Sequence, residues 1–175
     1  MTIAVNAGNI SREGQAARAA TDLSTSDWLQ LITFEVSGEE FGIEIVHVQE
    51  ILRMQRLTRV PKSPAHVAGV INVRGKLIPV VNLRQRFGLV DAAATNATRI
   101  VVIDFKTMIL GLIVDSVSEV LRISAAAVVP APGLGREQRD YVAGIAKLES
   151  RLIIVLDLER LTSVPGQGKK DSPGA

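Results

Sequence analysis

The sequence predicts a mainly β protein: two small barrels packed on one another, with a few short helices. Three observations predict it. Apolar residues alternate over short runs broken by turn residues, the pattern of half-buried strands. The two halves of the chain repeat each other. Apolar residues make up 47% of the 175, enough to bury a real core.

The elements follow in order. Residues 1–26 are rich in Ala, Gly, Ser, Thr and Asn and read as a disordered N-terminal extension. Trp28–Val36 alternates and runs into Ser37-Gly38-Glu39-Glu40, a turn signal, so Phe41–Ile45 is its returning strand. Val48–Met54 is β-branched enough to be another strand. Ser63-Pro64 reads as a short helix start, with Ser as N-cap and Pro at the first helical position, and Gly69 as its left-handed end. Val70–Val73 and Lys76–Val81 flank Arg74-Gly75, a hairpin tip. Pro79 lacks a ladder donor, which predicts an edge or a bulge there. Asn82 caps a short helix, Leu83–Phe87, closed by Gly88. The second half reads as strands Arg99–Phe105, Ile109–Val114 and Val117–Ile123, a longer loop, then Val142–Lys147 and Arg151–Leu156, with Asp157 capping Leu158–Leu161. Residues 164–175, with Pro165, Gly166, Gly168, Pro173 and Gly174, read as a disordered tail.

The repeat is explicit. Gly42–Met54 over Gly111–Ile123 has five identities in 13 positions at an offset of 69, and Val60-Pro61 over Val129-Pro130 keeps it. The offset then grows to 75. There Val67–Val70 meets Val142–Ile145, and Leu77–Leu83 meets Leu152–Leu158. Shared alternation explains shared hydrophobicity. It does not explain a shared Gly, Glu, Leu-Arg and Val-Pro in register, so the halves read as a duplication. The folded part is 27–163, with lobe one at about 27–90, lobe two at about 96–163, and their ends free to interleave.

Composition narrows the function. The chain has no cysteine, which excludes disulfides, thiolate metal sites and cysteine nucleophiles and fits a reducing compartment. The start has no basic region followed by an apolar stretch, so no signal peptide is read, and no apolar run reaches the length of a membrane span. Net charge is +2 and the basic residues read as scattered, apart from Lys169-Lys170 in the tail, with aromatics at 3%, a poor match to a nucleic-acid surface. Gly133-Leu134-Gly135 and Gly166-Gln167-Gly168-Lys169-Lys170 lack the context of a phosphate loop. His47 and His66 have no ligand-spaced partners, so no metal site is expected. Asp104, Asp115 and Asp157 read as turn and cap acceptors rather than catalytic acids. No catalytic residue and no cofactor are expected.

What remains is polar residues among apolar ones. Glu50 and Glu119 occupy the same place in each half, inside a strand-like run, and Arg74 is a candidate partner for Glu50. A glutamate there needs a partner or solvent. The pair reads equally as a structural tie or as the lining of a docking groove.

The segments Phe41–Ile45, Val48-Gln49-Glu50-Ile51, Val60-Pro61 with Pro64, Gly69–Gly75, Ile78–Arg84, Val114–Leu121 and Tyr141–Gly144 together resemble the CheW family of bacterial chemotaxis coupling proteins, over about 28–162. The usual Asn-Leu-Arg-Gly is Asn72-Val73-Arg74-Gly75 here. The resemblance implies two SH3-like five-stranded β-barrel lobes around a shared hydrophobic core. It implies a non-enzymatic adaptor, without cofactor, that couples the cytoplasmic tip of a methyl-accepting chemotaxis receptor to the regulatory domain of a CheA-type histidine kinase. Other coupling proteins in a cytoplasmic, membrane-associated array are implied partners; nucleic acid and direct membrane insertion are not. Carried over by motif, the receptor groove falls on Val48, Glu50, Gly69, Asn72, Arg74, Ile100, Val117 and Leu121. The kinase contact falls on Ile51, Leu52 and Met54 and on the loop between Ile123 and Tyr141. An adaptor of a surface-sensing or pilus-motility pathway has the same build, and a small basic β-barrel binding RNA is the alternative from another class.

Overall fold

A computed structural model of the chain describes residues 27–131, 133 and 141–163. The expected terminal extensions, and residues 132 and 134–140 of the loop between Ile123 and Tyr141, lie outside the described residues. The first half forms β1 (Trp28–Val36), β2 (Glu39–Glu44), β3 (Val48–Arg53), β4 (Val67–Val73) and β5 (Lys76–Asn82), then helix α1 (Leu83–Arg86). The second forms β6 (Arg99–Phe105), β7 (Met108–Val114), β8 (Ser116–Ser124), the two-residue β9 (Val128–Val129), β10 (Val142–Lys147) and β11 (Leu152–Leu156), then α2 (Leu158–Thr162). The fold is mainly β, with two SH3-like lobes.

One sheet has the order β8-β1-β2-β11-β10-β9 and the other β3-β6-β7-β5-β4. Each therefore draws on both halves. The β1–β2 hairpin sits among second-half strands, and the β6–β7 hairpin among first-half strands. Replacing each strand by its repeat counterpart turns one order into the other. Even β9 has a counterpart: it pairs with β10 at Ile145, as the single bridge from Thr58 pairs with Val70 of β4. The two halves have exchanged their first hairpins reciprocally.

Burial follows from this exchange. One cluster, including Phe34, Ile43, Leu83, Val101, Ile103, Leu112 and Leu158, is built from residues of both sheets and forms the shared core. Lobe one has its own interior around Ile71, Ile78, Val80, Ile100 and Val102, and lobe two around Leu31, Ile123, Ala146 and Ile153. Strand alternation distributes the side chains: in β6, Val101 and Ile103 face the shared core while Ile100 and Val102 face the lobe interior.

Three local expectations are corrected. Ser63-Pro64 starts no helix; turns occupy 61–62 and 65–66, and the Ser63 hydroxyl donates to the Val60 carbonyl at 2.8 Å. Gly69 ends no helix but sits at a bulge in β4, where a Cβ would lie 2.6 Å from the Thr58 carbonyl oxygen. Its repeat counterpart Gly144 admits the Val129 carbonyl in the same way, so both glycines exist to let a closing strand approach. Pro79 lies in a strand paired on both sides, not at an edge, but the parallel ladder to β7 begins only at Val80, so no bond is forfeited. The caps hold: the Asn82 side chain accepts from the Arg84 and Gln85 amides, and that of Asp157 from the Arg160 amide.

Candidate docking site

The structure brings Glu50 and Arg74 together at 3.5 Å. Glu50 stands opposite Val102, on the interior side of lobe one, and its side chain is only 24% exposed, against 83% for Arg74. The arginine is held there by its turn. Arg74 and Gly75 both have positive φ (52° and 84°), a two-residue hairpin tip, and the Asn72 side chain accepts from the Gly75 amide at 2.9 Å. The pair joins β3 to the β4–β5 tip, strands at opposite ends of the sheet order, and so marks the seam where the barrel closes.

The other expected groove residues are placed differently. Val48 and Val117 are half-buried against the shared core. Leu121 packs half-buried against the interior of lobe two. Ile100 is fully buried opposite Leu52 and offers a partner no surface in this structure. Of the residues expected to meet the kinase, Ile51 is exposed, while Leu52 and Met54 pack partly buried against the interior of lobe one.

Lobe two carries an equivalent tie that the repeat alignment hides. At the place of Arg74 stands Glu149, but Arg151, two residues on, forms an ion pair with Glu119, the counterpart of Glu50, and reaches Glu40 at 3.6 Å. The spacing of the tip shifted and the pairing survived. A Glu followed by an Arg within two residues of the expected place is the signal that finds it.

A third node joins the lobes. Arg84 donates through Nε to the Asp115 carboxylate at 2.9 Å, and a second bond makes the pair bidentate. Asp115 also accepts from the Ser37 amide at the β1–β2 turn, and Arg84 donates to the Val90 carbonyl. The guanidinium bond, then the amide, hold the Asp115 carboxyl below the usual carboxylate range despite partial burial. This pair forms part of the wall of a cavity of about 490 Å³ beside α1. Among the described residues no three His, Asp or Glu side chains cluster as metal ligands would, and no helix is long and apolar enough to cross a membrane.

Two barrels with ion-pair seams, separate interiors and a common core make a two-lobed β protein. Comparison with known proteins gives the family. The CheW-like domain family matches residues 30–165. Chemotaxis protein CheW of Klebsiella aerogenes is 33% identical over 135 residues, covering 77% of this chain and 81% of that protein. Its namesake in Bacillus subtilis is 34% identical over 129 residues, covering 73% and 83%. The crystal structure of the scaffolding protein TtCheW from Thermoanaerobacter tengcongensis matches with a TM-score of 0.74 at 33% identity, covering 79% of this chain and 95% of that one. This chain belongs to the CheW family.

Proposed function

We propose that the chain is a non-catalytic adaptor of a cytoplasmic, membrane-associated chemosensory array. In this reading it couples methyl-accepting chemotaxis receptors to a CheA-type histidine autokinase. Family membership supports the general role. The observation that carries the bridging is a repeated apolar face. Lobe one exposes Ile51, Val60 and Leu77; lobe two exposes Val120, Val129 and Leu152. These are the same three repeat positions, at offsets of 69, 69 and 75. Large apolar residues left in water at matching places on both lobes mark surfaces that a partner covers. Two such faces on one rigid body are what a bridge needs, and modest affinity at each suffices when the sites repeat in an array.

The groove residues act within this reading. Glu50 and Arg74 form a charged rim beside apolar surface, which sets the register of a helix laid against it. The test is a three-component binding measurement with a receptor-tip fragment and the kinase regulatory domain. The proposal expects a ternary complex in which Leu77→Ala and Leu152→Ala weaken different partners. Competition of the two partners for one lobe would contradict the bridge.

A further inference from the structure

The two apolar faces are alike, but their charge is not. Between Glu50 and Leu77 the chain carries Arg53, Arg56, Arg59, Lys62, Arg74 and Lys76 against the single carboxylate of Glu50, in a protein whose overall net charge is +2. All six cations are exposed. The reading of scattered basic residues is corrected by the fold. The Glu50–Arg74 pair brings the β4–β5 tip onto β3, and the Thr58–Val70 bridge lays the Arg56–Arg59 stretch along β4. At about 3.3 Å per residue, Arg53 lies about 10 Å along its strand from Glu50, and Thr58 is bridged about 13 Å along β4 from Arg74. Arg53, Arg56 and Arg59 on one side and Arg74 and Lys76 on the other therefore border the closing seam of lobe one, with Lys62 just beyond it and Ile51, Val60 and Leu77 next to them in the chain. Arg53 also stands directly opposite Arg99 in the ladder, a like-charge pairing that costs stability.

Lobe two carries less of this charge. At the counterparts of Arg53 and Lys76 it keeps Arg122 and Arg151, but at those of Arg56, Arg59 and Lys62 stand Ala125, Val128 and Ala131, and at that of Arg74 stands Glu149. A duplicated surface that keeps its apolar residues on both copies but carries four further cations on one of them has been fitted to a second kind of partner.

We infer that the closing seam of lobe one docks a protein surface that is acidic and partly apolar, whereas the seam of lobe two docks a partner without that charge. This rests on the adaptor reading and names the chemistry of one of its partners. The apolar residues between the cations favour a protein over nucleic acid. A single-strand binder places aromatics there for stacking, whereas the six aromatic side chains at Trp28, Phe34, Phe41, Phe87, Phe105 and Tyr141 all belong to other segments.

The test uses the full chain and the double variant Arg56→Glu/Arg59→Glu, which leaves Glu50 and Arg74 intact. Affinity for a receptor-tip fragment and for the kinase regulatory domain is measured separately, from about 0.05 to about 0.5 M salt. The expected result is that one partner loses at least about tenfold in affinity on charge reversal and shows the steeper salt dependence, while the other changes less than about twofold. The thermal melt should stay that of the parent. Binding of both partners unchanged by the reversal would overturn this inference and leave the adaptor reading standing. No binding of either partner by the parent chain would overturn both. Tighter binding of a mixed-sequence RNA oligonucleotide than of either protein, lost in the variant, would overturn it in favour of nucleic acid.

Discussion

At the scale of single residues, the Glu50–Arg74 pair separates structural from docking roles. Arg74 is so exposed that its pairing contributes little to folding. Arg74→Glu should therefore weaken binding of a receptor-tip fragment about tenfold or more, with the melting temperature nearly unchanged; loss of the cooperative melt would make Arg74 structural. Gly69 is the reverse case. Its repeat position, and the Thr58 carbonyl oxygen that would lie 2.6 Å from a Cβ there, explain the residue without any partner. Gly69→Ala should cost about 2 kcal/mol or more, read as a lowered denaturation midpoint, and any loss of receptor binding should follow from that. His66 offers a titration. Burial, then the nearby Arg86, disfavours its charged form, so the unfolded chain binds that proton more readily. Stability then falls as pH drops through about 6.5, and His66→Gln should flatten that part of the stability profile.

At the scale of elements, the inter-lobe node should be worth more than the surface pairs. Arg84 and Asp115 are 20% and 31% exposed and bond bidentately, so Asp115→Asn should cost about 2 kcal/mol by leaving a half-buried guanidinium poorly paired. The folded-state pKa of Asp115 is lowered, so its contribution is present at neutral pH and disappears as the pH falls through about 4 and below. Melts of parent and variant should converge in that range. Much of this was legible in the chain. Alternation located the strands because each has one face on a core, and Asn82 and Asp157 announced their helices because caps are local chemistry. Ser63-Pro64 misled because a cap motif does not supply the hydrophobic face that a helix needs. Arg151 was hidden because a two-residue shift in a tip breaks an alignment but not a reach. Ile100 was misplaced because a motif match ranks positions without saying which side of the strand they face.

At the scale of the whole molecule, reciprocal hairpin exchange has a thermodynamic consequence. Each sheet needs strands from both halves, and the shared core is lined by both sheets. The lobes should unfold together, with calorimetric and van't Hoff enthalpies equal, and residues 27–90 expressed alone should not fold. The repeat revealed the duplication but not the exchange, since an exchanged hairpin leaves the pattern of every strand unchanged. A shared core and exchanged hairpins suit a bridge whose two faces must keep a fixed relation. The most direct test of that role is the autophosphorylation rate of a CheA-type kinase with a receptor signalling fragment, measured with and without this protein. The bridging account predicts that receptor control of the rate appears only when the protein is present, and fades with Arg74→Glu. A rate that responds to the receptor equally in its absence, or not at all in its presence, would contradict it.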